Sequence, residues 1–574
     1  MPMTAWRIAL RSVAHYRRSD LAVALGVAVA VAVLAGSLLV GDSVRGSLRA
    51  IALERLGPVW CSLSADGGLT DGLIERLDAS AGFARRYGRA APLLLLGGSV
   101  QPAEAARVVP GVSIVGADEA FWHLYGAGPG PVGRQVFLNR RLADDLSASV
   151  GDDILLSFGR SGRTPAYSIL GRRRREDTVA AMRLNVGRVL DAGPAEFDLR
   201  ADPHGCPAAF VPLRRLQEAL GLAGRVNTIV FALPEGGLPR TAGQRERTAE
   251  LAARLPDLLR LDDLGLHVES DAEQRILAVQ SRRLALPASA EDAVRAAADV
   301  PMAATSIYLA NSLRIVRGGA ETGVETPYSV VLGVESLETP PLGPADPVSG
   351  RPTLGPGEIV LNSWAAEDLG ARPGDDVALR YYIAGDDGAV REVRRTFALS
   401  GVVPTGGAAA SPVLVPEFEG ITDAETMADW DPPFAIDLDR IRPKDEEYWD
   451  RWRTAPKAFL PLEAVREMWH EGAASGTEVD WRTGLVLSPP VGVGLDELEA
   501  QLLGALSEEL AVREPGCELR AVRADALDAA GGSSDFGLLF ASMSAFLVAA
   551  AAILVGLLFR LAIGRRAAQY GLMA

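Results

Sequence analysis

Two stretches of the chain hold only apolar and small residues. Leu21–Val40 reads LAVALGVAVAVAVLAGSLLV, twenty residues without a charge. Phe536–Ile563 reads FGLLFASMSAFLVAAAAILVGLLFRLAI, with twenty-four uncharged residues ahead of Arg560. At this length each predicts a helix able to cross a hydrocarbon core of about 30 Å. Arg560 stands near one end, where its long side chain can reach the interface. The first run is longer than the apolar part of a secretory signal.

Between these runs the pattern changes. Ser43–Leu56 continues the first run with Val44, Leu48, Ile51 and Leu56 apolar, a stalk-like helix. Leu495, Leu498, Leu502, Leu506 and Leu510 recur at steps of three and four and predict an amphipathic helix, stopped at Pro515 and Gly516. Val522–Ala530 predicts a further helix leading into the second run. Residues 244–299 read as helical, most clearly Gln244–Leu255 and Ser289–Asp299.

The strand-like segments recur. VFLNRRLADDLSASVGDDILLSF at 136–158 aligns without a gap to IVLNSWAAEDLGARPGDDVALRY at 359–381, an offset of 223. Ten of the 23 positions are identical, among them Asn139/Asn362, Asp145/Asp368 and Gly151/Gly374. The pattern predicts strand, short helix capped by the asparagine, Gly-Asp turn, strand. Further matches keep the same order: SIVGAD (113–118) with VVLGVE (330–335), YSILG (167–171) with FALSG (397–401), and AFVPLRRLQEAL (209–220) with AFLPLEAVREMW (458–469). TIVFAL (228–233) and TGLVLS (483–488) close the two copies. Ordered matches of this kind point to a duplicated α+β unit.

Charge then sets an orientation. Arg7, Arg11, Arg17 and Arg18 against Asp20 give +3 before the first run. Arg560, Arg565 and Arg566 give +3 from the end of the second. The positive-inside rule puts both ends in the cytoplasm. Subtracting these six charges from the net −15 leaves −21 for residues 42–535, one acidic extracytoplasmic region. Acidity on that scale argues against a nucleic-acid partner. With 48% hydrophobic residues, disorder is excluded as the main state. Three scattered cysteines, Cys61, Cys206 and Cys517, make no disulfide framework.

Candidate chemistry is sparse, and no enzyme is expected. GPGPVG at 128–133 fits a dinucleotide fingerprint by letter, but its prolines and the lack of a following helix defeat that reading. The only two lysines, Lys444 and Lys457, are not in a phosphate loop. His15, His123, His204, His267 and His470 are dispersed. His123 is expected in an aromatic packing cluster, and the acidic stretch Asp445–Trp452 as a solvated face. No cofactor or metal site is expected.

The chain resembles the MacB/FtsX-like permease family of ABC transporters. The resemblance is carried by ALRSVAHYRR (9–18), the first apolar run, GDSVRGSL (41–48), the VLGVE, IVLN…DLGARPGDDV and AFLPL elements, and Leu539–Ala574. It covers most of the chain and is weakest at 236–300. It implies a membrane subunit that works with a separate cytoplasmic ABC ATPase and a second permease copy or homologue. Such a subunit sits in the lipid bilayer of a bacterial inner (cell) membrane and transmits ATP-driven motion to an extracytoplasmic domain. Arg565, Arg566, Gln569, Tyr570, Gly571 and Leu572 resemble the start of the family's ATPase-coupling segment. The family has four spans. This sequence stops at Ala574, after the second, so a fragment of a longer permease or a half-permease is expected. A two-span receptor or adaptor with a ligand-binding outer domain is the alternative.

The expected layout is an α+β membrane protein with two transmembrane helices flanking a duplicated, MacB-like periplasmic unit and a helical stalk. Its parts are a cytoplasmic start (1–20), span one (21–41), stalk and lead-in (42–89), repeat one (90–235), a helical linker (236–299), repeat two (300–490), stalk helices (491–535), span two (536–563) and the coupling segment (564–574).

Overall fold

A computed structural model describes residues 6, 11, 13–103, 107–159, 179–199, 206–234, 237, 241–384, 390–418, 420–432, 436–471, 479–513, 517–531 and 536–570. The chain divides into two compact units. One comprises Met1–Gly57, Glu196–Gly205 and Ala521–Ala574; the other comprises Pro58–Ala195 and Cys206–Arg520.

The first unit is built on α1 (Arg17–Leu56), an unbroken helix of 40 residues. No proline interrupts it, so the first apolar run and the stalk stretch form one rod of about 60 Å. Gly57, at φ 52°, ends it. Two helices from the far end of the sequence join it and are numbered below.

The second unit is α+β. Its elements run β1 (Val59–Thr70), α2 (Gly72–Ala79), α3 (Phe83–Tyr87), β2 (Ala90–Pro102), β3 (Val109–Ala117), α4 (Glu119–Tyr125), β4 (Gln135–Asn139), α5 (Arg140–Leu146), β5 (Asp153–Gly159), β6 (Val179–Leu190), β7 (Ala208–Pro212), α6 (Leu213–Leu220) and β8 (Arg225–Ala232). Then follow α7 (Thr241–Arg254), β9 (Leu266–Asp271), β10 (Ile276–Ser281), α8 (Ala288–Ala297), β11 (Met302–Arg317), β12 (Ala320–Val334), β13 (Ser349–Gly350), β14 (Glu358–Asn362), α9 (Ser363–Leu369), β15 (Asp376–Ala384) and β16 (Val390–Val403). The unit ends with α10 (Pro443–Trp452), β17 (Ala458–Pro461), α11 (Leu462–Glu471), β18 (Gly484–Leu487), α12 (Leu495–Arg513) and β19 (Cys517–Arg520). The chain returns to the first unit through α13 (Val522–Gly531) and α14 (Phe536–Tyr570).

Two mixed sheets form two lobes. The first sheet has the order β19-β1-β8-β2-β3-β7-β4-β6-β5, and the second β12-β17-β14-β16-β15-β11-β18-β10-β9. Both contain the block β7-β4-β6-β5 or its counterpart β17-β14-β16-β15. In both, the second strand pairs with the fifth or its counterpart, β2 with β5 and β11 with β15. The register agrees to the residue. A bulge separates Val136 from Phe137 in the β4–β6 pair, and Ile359 from Val360 in the β14–β16 pair, again an offset of 223. Asn139 and Asn362 share backbone angles (φ −73°, ψ 159° and φ −74°, ψ 161°), and each side chain caps the following helix. Gly116 and Gly333 lie under the helices α6 and α11. A Cβ there would stand 2.9 Å from Leu216 and 2.7 Å from Val465, so only glycine allows these helices to sit so close to the sheet.

Several sequence expectations need correction. YSILG (167–171) lies outside the described residues, and the pairing register gives FALSG a different counterpart. Ala398 pairs with Asp376 as Asn185 pairs with Asp153, so 397–401 matches 184–188. The stretch 236–299, expected as a helical linker, contains the hairpin β9–β10. Its strands are only six residues long and flanked by charges, so the alternation is too brief to outweigh the helical segments beside it. The lead-in 42–89 contains β1, a full strand of the first sheet, and the stalk region 491–535 contains β19, its partner. The leucine stripe of α12 does not face a stalk: Leu498, Leu502 and Leu506 are buried in the second lobe's core.

Among the described residues, no helix is long and apolar enough to cross a membrane. The two-span expectation rests on the sequence. Both α1 and α14 include residues whose side chains lie outside the description.

Candidate functional site

Within the first unit, α13 and α14 pack against α1. Gly26 of α1 meets Val555 of α14; a Cβ there would lie 3.2 Å from Val555 Cγ2. Small residues at such a contact let two helix backbones approach closely. Arg523 of α13 donates from Nη1 to the carbonyl of Gly57 at 2.8 Å. A cation at this place satisfies an orphan carbonyl at the end of α1 and complements the helix dipole. The stretch before Phe536 therefore ties back to the C-terminal end of α1.

Large apolar side chains of both long helices stay exposed. Leu25, Val31 and Leu39 are 58%, 59% and 68% exposed on α1, and Phe546 and Ile553 are 81% and 65% exposed on α14. Within the second unit, the strand that begins just after α1 and the strand that ends just before α13 are neighbours. β1 and β19 pair antiparallel, with Ser62 opposite Arg520 and Ala65 opposite Cys517. The first entry of the polypeptide into the two-lobed body and its last exit are thus on adjacent strands of one sheet.

Four of the residues expected to couple to an ATPase follow one another on a single element. Arg565, Arg566, Gln569 and Tyr570 occupy the last turns of α14, and their side chains lie outside the description. Helical geometry sets 565 and 569, and 566 and 570, one turn apart. Gly571 and Leu572 lie outside the described residues.

One buried charge constellation of the second lobe was not foreseen as one. The protein's only two lysines converge on it. Arg442 at the start of α10 donates from Nε and Nη2 to Asp445 at 2.7 and 2.8 Å, and from Nη2 to Asp368 at 2.7 Å. Lys444 also bonds Asp368. Lys457 Nζ lies 3.9 Å from Asp445 and over the rings of Trp364 and Tyr448, 4.6 and 4.7 Å from their centroids. Burial pushes the Lys457 ammonium down to a pKa of about 8, with Asp445 and Asp368 pulling it back up. Burial raises the Asp368 carboxyl, but hydrogen bonds from Lys444, Thr326 and Arg442 outweigh it and hold the group below the usual range. The stretch Asp445–Trp452 is therefore not a solvated face: Asp445, Tyr448 and Trp449 are buried. Arg442 lies only three residues before Asp445, but Asp368 lies 74 residues from Arg442 and 76 from Lys444, so the local pattern reveals at most the Arg442–Asp445 pair. At the corresponding position in the first lobe, Ala208 replaces Lys457, by the pairings of β7 with β3 and β17 with β12. Trp364 and Tyr448 cover its Lys457 end, and the cluster ties α10 to α9 and to the residue that leads into β17.

His123 is exposed, contrary to expectation. The aromatic cluster is made by its neighbours instead: Trp122 lies edge-on to Phe137 and Phe210, with centroids 5.5 and 5.7 Å away. On the short helix α4, positions 121 and 122 face the sheet and 123 turns outward. Among the described residues, no group of His, Cys, Asp or Glu could hold a metal ion.

No family model matches the sequence, and no curated protein matches it. Solved structures similar in part include the periplasmic region of MacB from Actinobacillus actinomycetemcomitans. That match has 10% identity and a TM-score of 0.22, covering 35% of this chain and 87% of that one. The extracellular domain of the noncanonic ABC-type transporter YknZ from Gram-positive bacteria matches at 11% identity and a TM-score of 0.20, covering 30% of this chain and 82% of that one.

Proposed function

We propose that this chain is a permease subunit of an ABC transporter in a bacterial cell membrane, without enzymatic chemistry of its own. In this reading α1 and α14 cross the bilayer, their shared cytoplasmic side meets a separate ATPase, and a second permease copy completes the assembly. The single observation that carries the reading is the pair of packed long helices whose apolar side chains stay exposed along their length. Water would penalise such a surface, at roughly 25 cal/mol per Å², whereas lipid covers it. The equal basic flanks orient both ends inward. The sequence resemblance to MacB/FtsX-like permeases adds the coupling role of 565–572.

Motion would pass mechanically. A shift at the inner end of α14 moves α1, which it packs with, and through α1 moves α13. Those helices continue by the chain itself into β1 and β19, so a tilt of the helix pair shears two adjacent strands. No side chain need take part in chemistry. The receptor alternative lacks a comparable observation.

Topology is tested by labelling. Cysteines placed at Val150 and Ala567, both exposed, should react with a membrane-impermeant maleimide only at Val150 in intact cells. Labelling at Ala567 alone would overturn the orientation.

Function is tested in the complete reading frame, reconstituted with its ATPase. Gln569→Glu with Gly571→Asp should leave membrane insertion and ATP hydrolysis in place while transport falls at least about tenfold, the effect of losing roughly 1.4 kcal/mol of coupling. Transport at the unmodified rate would remove this segment from the mechanism.

A further inference from the structure

The chain passes between the two lobes twice, from α12 to β19 and through a short segment, residues 255–266, that is anchored in both. Leu255 and Leu259 are buried in the first lobe's core, and Leu261 and Leu266 in the second's. Leu264 packs against both. Between these anchors a 3₁₀ turn at Leu261–Leu264 presents two consecutive carboxylates with different partners.

Asp263 belongs to the first lobe. It is fully buried and accepts from Thr70 Oγ1, from Arg76 and from the backbone N–H of Arg260 at 2.7 Å. Arg76 Nε also donates to the carbonyl of Leu258 at 2.8 Å, fastening the segment twice. Asp262 is shared. Its Oδ1 accepts from Arg225 Nη2 of β8, in the first lobe, at 2.7 Å and from Arg282 Nε, just past β10 in the second lobe, at 2.8 Å. Arg225 donates also to the carbonyl of Asp262 at 3.0 Å. One carboxylate oxygen therefore bridges guanidinium groups from both lobes.

The two carboxylates differ in how readily they let go. Breaking the contacts of Asp263 would strand a buried charge, the costly case. The Arg282–Asp262 pair is 37% and 47% exposed, and water can replace either partner cheaply. We infer that residues 255–266 form a hinge, with Asp263 as its fixed pivot and Asp262–Arg282 as an ionic latch that holds the two lobes in the closed arrangement. On opening, Arg282 leaves with the second lobe together with Gly265 and Leu266, the carbonyl of Gly265 accepting its backbone N–H at 2.9 Å, while Asp262 and Asp263 stay with the first through Arg225 and Arg76. This device is a property of the two-lobed body and stands whether or not the chain is a permease.

The inference is tested on the full chain in detergent, with the three native cysteines replaced by alanine. Spin labels go on cysteines at Val150 in the first lobe and Val348 in the second, both well exposed. Pulsed electron–electron resonance then reads the interlobe distance distribution. Asp262→Asn and Arg282→Gln should each raise a second, separated population roughly fivefold, in keeping with loss of one half-exposed charged contact. Raising the salt to about 1 M should move the unmodified protein the same way, because the contact is exposed enough to be screened. The same salt should leave Asp262→Asn unchanged. A distribution that ignores both substitutions in folded protein, or an unmodified protein indifferent to salt, overturns the latch. Should a substitution impair folding, the salt series on the unmodified chain decides alone.

Discussion

Asp445→Ala is expected to destabilise the second lobe by about 3–5 kcal/mol, the cost of leaving a buried cation without its partner. Asp445 is fully buried and receives three hydrogen bonds from Arg442: from its backbone N–H at 3.0 Å, Nε at 2.7 Å and Nη2 at 2.8 Å. Lys457, 3% exposed, has Asp445 and Asp368 as the carboxylates that offset its burial. Removing the carboxylate strands Lys457 and loosens the start of α10. Lys457→Met should behave otherwise, changing stability by only about 1 kcal/mol, because methionine fills the space between Trp364 and Tyr448 without a charge and Arg442 still pairs Asp445.

The pH dependence separates the two cases. Lys457 titrates near pH 8 in the folded chain and near 10.5 when unfolded. Between those values the unfolded state holds the extra proton, so stability rises with pH. The unmodified protein should therefore gain on Lys457→Met from about pH 8 upward. Tyr448 and Tyr308, whose hydroxyls burial pushes up, act in the opposite sense above their ordinary value of 10, which limits the useful window to pH 8–10. Lobe-resolved hydrogen exchange of the full chain measures both effects. A loss below about 1 kcal/mol in Asp445→Ala would show that the cluster is not the lobe's polar keystone.

Asn139→Ala and Asn362→Ala should each cost about 2–3 kcal/mol, a lost helix cap plus buried groups left unpaired. Asn362 Oδ1 accepts from Ala365 N–H at 2.7 Å, while its Nδ2 donates to Tyr448 Oη at 3.0 Å and to the carbonyl of Pro456 at 3.1 Å. Asn139 Oδ1 accepts from Leu142 N–H and Ala208 N–H, both at 3.0 Å, and Nδ2 donates to the carbonyl of Cys206 at 2.9 Å. In each lobe one side chain thus caps a helix and clamps the approach to the neighbouring antiparallel strand, β7 or β17. Serine restores the cap but not the amide donors, and should recover only about half the loss. Exchange protection falling in the first lobe for Asn139→Ala and in the second for Asn362→Ala would be the expected outcome. Protection unchanged in either would separate the two positions functionally.

The sequence by itself determined whatever neighbouring residues decide. The asparagine caps, the Gly-Asp turns, the strand–helix–strand order at 136–158 and 359–381, and the unbroken helix out of Leu21–Val40 all depend on interactions within a few residues. Their signals lie side by side in the chain. Only the tertiary structure decided what depends on distant partners. The bulge and ladder register set 184–188, rather than 167–171, opposite 397–401. β1 and β19 became strands because each completes the other's hydrogen bonds across more than four hundred residues. The leucine stripe of α12 looked the same whether it faced a stalk or a core, since periodicity names a buried face but not what buries it. Asp445 read as solvent-exposed because a charge is expensive to bury alone; Arg442, three residues before it, offsets part of that expense locally, and Lys457 with the rings that cover it joins only in the folded lobe. The bridge from Arg225 through Asp262 to Arg282 likewise exists only where two sheets meet, and no local pattern encodes a meeting of that kind.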